Sequence, residues 1–301
     1  MKRAIARAVV VAGTALGLFA LGQSAGAQSP SQSSGQPLFG LTTNERLVSF
    51  TADSPDDVRS VRITGLRNRE SLVGIDRRPV DGMLYAVGRS RSGASLYTID
   101  TTSGYATFVA QLVSAPTATN PNRTPIVLNG DEFGFDFNPA ADALRIVSDR
   151  GQNLRVIPAP RVVNGVNIQT GDTFTDGQLN RAGAVATGVT AVAYLNNDND
   201  PATGTTLFDI DSDLDTLNIQ NPPNDGTLAP VGPLGLATRS RAGFDIVTQT
   251  GTSITNTAYA AISERGRGGQ VSRLILVDVN TGFIRDLGYI GVNDALRDIA
   301  A

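Results

Sequence analysis

The sequence predicts an all-β protein, a propeller-like ring of about five four-stranded units closed by the C-terminal strand. Three observations predict it. Glycine (32) and proline (15) are plentiful while Cys, His and Trp are absent, a composition suited to short strands joined by turns. A strand–Asp–turn–Gly–strand pattern recurs, preceded in three of its copies by a second recurrent strand. The chain then ends on a strand, ALRDIA at 295–300, with no unit after it. A sandwich of two sheets is the alternative architecture.

The first residues read as an export address. Lys2, Arg3 and Arg7 precede an apolar run over 8–21, and Ala25-Gly26-Ala27 supplies the small–x–small pattern of a cleavage site. A signal peptide over 1–27 is therefore expected, and with it a periplasmic or extracellular location. The apolar run falls short of the roughly 20 residues that span a bilayer, so no membrane span is expected after cleavage. Residues 28–40, opening with QSPSQSSGQP, read as a flexible leader to a single domain over 41–301. Cleavage leaves 22 basic residues against 28 acidic ones, a formal charge of −6. Such a surface repels nucleic acid and anionic lipid. With no thiol, the core must hold without disulfides.

The repeat has a mechanism. SLYTID at 95–100 is followed by TTSG and the apolar run YATFV; RLILVD at 273–278 is followed by VNTG and FIRDL. Asp accepts hydrogen bonds from turn N–H groups and Gly tolerates positive φ, so each reads as a hairpin connection. Weaker copies begin at Leu47, Leu154 and Leu207. An opening strand precedes three copies, as LVGID at 72–76, FGFD at 133–136 and AGFD at 242–245, followed by MLYAV, ALRIV and AYAA. The fourth unit is less regular: Val189 to Tyr194 serves as the strand before Leu207, and its own opening strand is unclear. The first copy lacks an opening strand, which the orphan C-terminal strand can supply, removing both free edges.

At these residues the chain resembles a known family. LVGIDRRPVDGMLYAVG, LYTIDTTSG, FGFDFNPAADALRIVSDRGQNLR and LFDIDSDLDTLNIQNPPNDGTL are similar to the bacterial exported proteins of domain of unknown function 4394, over residues 41–300. The resemblance implies fold and export and carries no catalytic residues. The segment Pro158 to Asn164 departs from the repeat pattern, leaving the outer strands of the third unit open.

Composition excludes much chemistry. Without His or Cys, and with Lys2 the only lysine, the mature chain cannot build a Ser-His-Asp or Cys-His site, a lysine Schiff base or an ordinary zinc site. Carboxylate acid–base work and hard cations remain. Asp76, Asp136 and Asp245 recur at one place in their units and can ring one face as an acid–base set, although an Asp just past a strand usually caps the turn that follows. Asn196, Asp198 and Asp200 alternate like the opening of an EF-hand loop, but Pro201 stands where that loop needs Gly and Leu207 where it needs Glu. No cofactor is expected beyond weak calcium binding there. Asp209, Asp211, Asp213 and Asp215 alternate too, on one face if all lie in a strand.

Polar residues at turns suit ligand recognition, and they suit hydrogen bonding of loop backbone as well. Arg145, Gln152 and Arg155 in ALRIVSDRGQNLR, with Gln220 and Asn221 in IQNPPNDG, are the candidate ligand-binding residues. The expectation is a monomeric, exported binding or scaffold module, more a binder than an enzyme. It engages an extracellular or cell-envelope ligand such as a glycan or peptide through the loop face of the ring. The alternatives are a carboxylate-dependent glycan hydrolase or lyase and a structural cell-surface component. A tight carboxylate cluster in a central funnel favours the enzyme, and a shallow site lined by amides and Arg favours binding.

Overall fold

The hairpin signature forms as its chemistry dictates. In the computed structural model, which describes residues 35–67, 69–238, 241–266 and 269–301, Asp100 accepts hydrogen bonds from the N–H groups of Thr102 (3.0 Å) and Ser103 (2.7 Å). Gly104 closes the turn at φ +74°, its N–H donating to the Asp100 carbonyl at 2.8 Å. Asp278 and Gly282, at φ +81°, repeat the device. The expected signal peptide lies outside the described residues.

These hairpins build five antiparallel sheets in a ring, a five-bladed β-propeller. From the axis outward, blade 2 runs Ser71–Arg77, Leu84–Ser90, Gly93–Ile99 and Ala106–Gln111. Blade 5 runs Ala242–Gln249, Thr255–Gly266, Gly269–Val277 and Ile284–Tyr289. Blade 1 takes its inner strand, Leu296–Ala300, from the end of the chain and pairs it with Pro37–Thr42, which is followed outward by Arg46–Thr51 and Ser54–Arg62. The register sets Phe39 opposite Ala300 and Leu41 opposite Asp298. Pro37–Thr42 therefore starts inside the stretch expected to be leader, because Leu38 and Leu41 are fully buried.

Blades 3 and 4 differ from expectation. In blade 3, Phe133–Asn138, Ala143–Ser148 and Asn153–Val156 are followed by an inserted hairpin, Arg161–Val163 with Val166–Ile168, before the outer strand Asp172–Thr175. That insertion is the irregular segment after Pro158. Ile168 buries against Ala143 and Ile157, which holds the hairpin to the blade, and Val113–Ser114 adds in parallel at the outer edge. In blade 4, Val189–Tyr194 is itself the inner strand, followed by Leu207–Asp211, Thr216–Gln220 and Leu228–Pro233. Leu207 thus begins the second strand, not the third. Asp213 and Asp215 leave the strand: the Asp213 and Leu214 N–H groups donate to Asp211, and Asp215 takes the positive φ that glycine supplies elsewhere. Four aspartates on one face do not occur.

The core is a set of wedges between blades rather than one centre. A buried apolar cluster fills each of the five interfaces, for example Phe133, Phe135 and Phe137 against Val73, Tyr85 and Val87 between blades 2 and 3. Inner strands are apolar on both faces because both are covered. Among the described residues no helix is long and apolar enough to cross a membrane.

Candidate functional site

The inner strands converge on the axis, and their G-x-D pattern shapes it. A Cβ on Gly74 would meet the Phe135 Cβ at 2.7 Å, one on Gly134 the Ala191–Val192 backbone at 2.8 Å, and one on Gly243 the Asp298 Cα at 2.6 Å. Each glycine faces the next blade. Two residues on, with the strand period of two, an aspartate faces the same way.

Asp76 accepts hydrogen bonds from Phe137 N–H of blade 3 (2.7 Å) and from Arg77 N–H (2.6 Å). Asp245 accepts from Ala301 N–H beyond blade 1 (2.7 Å) and from Ile246 N–H (2.6 Å). Asp298 of blade 1 accepts from Ile75 N–H of blade 2 at 3.0 Å. These carboxylates pin blade to blade. Asp136 differs: neither of its oxygens makes a hydrogen bond among the described residues, although the nearby Tyr194 backbone N–H favours its charged form. Asp76 and Asp136 are 1% exposed and Asp245 2%. Oxygens of these three, one from each, lie within 4.8 Å of one another.

Burial dominates the electrostatics. It pushes Asp76, Asp136 and Asp298 well above the usual carboxylate range, helped by the charges of their neighbours, and raises Asp245 to about 6. A carboxyl raised on folding contributes stability that is fully present below the unfolded pKa of about 4 and is lost as pH rises through the folded value. Asp100 and Asp278, held low by turn N–H groups, act oppositely but are exposed and weigh little. In buffer with chelator the melting temperature should therefore fall from pH 4 to pH 7. The buried aspartates titrate as a set, and a shift of the size seen at Asp245 corresponds to about 3 kcal/mol, or roughly 6–12 °C for a domain of this size. A melting temperature that is flat or rises over that range, read by circular dichroism, contradicts the assignment.

A second feature is open to solvent. A cleft of about 470 Å³ lies at the N-terminal ends of the inner strands of blades 1 and 2, lined by Arg69, Arg89, Arg91 and Arg297 with Ser90 and Asp131. Arg89 donates to the Gly130 carbonyl (2.6 Å) and stacks over Phe133. The Arg297 Nε is buried without a partner, and Asp131 is paired with Arg150 at 2.7 Å. Arg69 and Arg91 are exposed, with no ion pair among the described residues. Ser71 and Val73 of the cleft lining stand five and three residues before Asp76, about 16 and about 10 Å of strand. The three clustered aspartates do not themselves line this opening.

The residues singled out from sequence fall elsewhere. Arg145, 2% exposed, donates to Asp176, Asn153 and Asn224 (2.7, 2.7 and 2.8 Å). Arg155 shares Asp176 and stacks on Phe174. Gln220 is buried and donates to the Pro223 carbonyl at 2.6 Å. Asn221 is exposed beside it. These residues meet as a network between blades 3 and 4, where the short polar side chains bond loop backbone. Gln152 stands apart: it holds Asn129 and Val127, so it supports a wall of the arginine cleft. In the NNDND loop, Asp198 accepts from Asp200 N–H and Thr203 Oγ1, and Asp200 accepts from Ala202 N–H. There the carboxylates serve as turn acceptors. Arg69, Arg89, Arg91 and Arg297 had no sequence signal, being strand-end residues from two distant stretches.

The architecture defines a five-bladed propeller with clustered, buried carboxylates on its inner strands. The chain belongs to the family described as "Domain of unknown function (DUF4394)", which matches residues 46–300. No curated protein matches it. It is similar to a chain from the crystal structure of a nidogen/laminin complex, at 13% identity and TM-score 0.47, covering 88% of this chain and 97% of that one. It is also similar to a putative 6-phosphogluconolactonase from Bacteroides uniformis (12%, TM-score 0.40, 87% and 84%) and to TolB from Acinetobacter baumannii (14%, TM-score 0.41, 88% and 66%). These likenesses are too weak and too varied to indicate an activity.

Proposed function

We propose that the protein is an exported binding module whose ligand, an acidic glycan or peptide, is held in the arginine-lined cleft on the loop face of the ring. One observation carries this reading: four guanidinium groups line an open cleft, and Asp131, the one lining carboxylate among the described residues, is already paired. Guanidinium presents a planar fork of donors that matches carboxylate, sulfate or phosphate. On a chain of net negative charge, such a local positive site favours anions over neutral ligands. The alternative of a glycan hydrolase finds less support, since the clustered carboxylates are buried and do not line the cleft.

The test is calorimetric titration with uronic-acid oligosaccharides and acidic peptides against their neutral counterparts. Loss of one charge-assisted hydrogen bond costs about 1.5–3 kcal/mol, roughly tenfold or more in Kd. Arg91→Ala and Arg69→Ala should each weaken acidic ligands by that factor and leave folding intact, and affinity should fall with salt. Neutral ligands bound as tightly as acidic ones, or affinity indifferent to both substitutions, would overturn the proposal.

A further inference from the structure

We infer that Asp76, Asp136 and Asp245 form a buried Ca²⁺ site on the axis of the ring, joining blades 2, 3 and 5. This is independent of the cleft, which lies at the other end of the inner strands. The donor set is hard oxygen only, as Ca²⁺ requires. Two oxygens on one ion are separated by at most twice the metal–oxygen distance, about 4.6–5.2 Å for Ca²⁺ and about 4.0–4.2 Å for Mg²⁺. The three aspartate oxygens lie within 4.8 Å of one another, close enough that a small inward movement of the side chains brings all three within the Ca²⁺–oxygen distance of one ion.

A group of acidic side chains is not by itself a site, and Asp136 makes the difference. It is 1% exposed, it lies in the cluster, and both oxygens are without a hydrogen bond among the described residues. Its counterparts are satisfied by backbone N–H groups of the following strand, which leaves each of their oxygens a further lone pair. A buried carboxylate with no counter-charge is costly, and a cation bound between the three supplies that charge. Arg77 is the basic side chain nearest in its effect, lowering Asp245, but its Nη1 is taken by the Gly82 carbonyl. The inner strand of blade 4 contributes no carboxylate: Ala191 and Ala193 pack toward blade 5 instead. The cluster thus brings together three buried acids from three blades, with Asp298 of blade 1 a fourth buried carboxylate close enough to act on them. The rival state is a cation-free cluster held neutral by shared protons.

The experiment uses the mature chain, unfolded and refolded either with EDTA or with CaCl₂ so that slow entry to a buried site cannot hide binding. Elemental analysis after desalting should find one Ca²⁺ per chain in the second sample. At pH 7.5, Ca²⁺ at about 100-fold over Kd should raise the melting temperature by roughly 5–10 °C, with Mg²⁺ giving less. Asp136→Asn, near-isosteric, should abolish both the stoichiometric metal and the shift, while an Asp198→Asn/Asp200→Asn double variant should retain them. Should Asp136→Asn fail to fold, Asp76→Asn and the wild-type stoichiometry still decide. Wild-type protein with neither bound Ca²⁺ nor a Ca²⁺-dependent shift, or a response that survives Asp136→Asn, overturns the inference and leaves the proton-sharing cluster.

Discussion

Deleting residues 292–301 is expected to abolish the folded ring rather than fray one end of it. The deleted strand is the innermost of blade 1, and Leu296, Ile299 and Ala300 are fully buried against blades 1, 2 and 5. Each buried Leu or Ile contributes about 1.5–3 kcal/mol on its own. Loss of the strand also frees the ladder edge of Pro37–Thr42. It removes Asp298 from Ile75 N–H and the Ala301 N–H from Asp245, so two of the inter-blade pins are lost together. Total stabilities of domains are only about 5–15 kcal/mol, so the sum of these losses consumes most or all of the margin. The truncated chain should lack a cooperative thermal transition and should self-associate through its open edge in size-exclusion chromatography. A truncated monomer that melts within about 5 °C of the untruncated protein would show that the ring does not depend on this closure.

Ring closure was legible because an orphan strand at one end and a missing opening strand at the other are both visible in a single sequence. The hairpin repeat was legible for a local reason, since Asp and Gly at fixed separation act within one turn. Blade 4 was misread where that local signal is replaced. Val192 pairs across from Asp209, reversing the arrangement in blades 3 and 5, where Asp136 and Asp245 on the inner strand face Arg145 and Tyr259. The NNDND loop then pushes the second strand away to Leu207. In the axial cluster the three aspartates were visible, but a carboxylate near a strand end has the same local appearance whether it caps a turn or faces the next blade. Only closure of the ring decides that. The cleft arginines are further still from any local signal, because Arg69, Arg89 and Arg91 meet Arg297 through the same closure.

Arg145 gives the sharpest separation between a residue that recognises a ligand and one that holds the scaffold. Its guanidinium is nearly inaccessible and joins Asp176, Asn153, Asn224 and the Tyr194 hydroxyl, linking three strands of blade 3's surroundings to the loop of blade 4. Asn153 in turn donates to the Gly177 and Pro223 carbonyls at 2.9 and 3.0 Å. Removing one partner from a buried, hydrogen-bonded charge pair costs about 3–5 kcal/mol, because the remaining groups stay desolvated. Arg145→Leu, which keeps apolar volume, should therefore lower the melting temperature by about 6–20 °C. Arg155 shares the same carboxylate, yet its side chain is 28% exposed and its contacts to Asp176 are longer, at 3.1 and 3.2 Å. Arg155→Ala should cost no more than about 1 kcal/mol in ion pairing, with a similar loss from its stacking on Phe174. Asn224→Ala should fall between the two, at about 1–3 kcal/mol for the acceptor it withdraws from Arg145. All three can be compared by thermal unfolding at pH 7.5 and one ionic strength. If Arg145→Leu melts within about 2 °C of wild type while Arg155→Ala does not, then the network does not hold blade 3 to blade 4, and Arg145 returns as a candidate for binding.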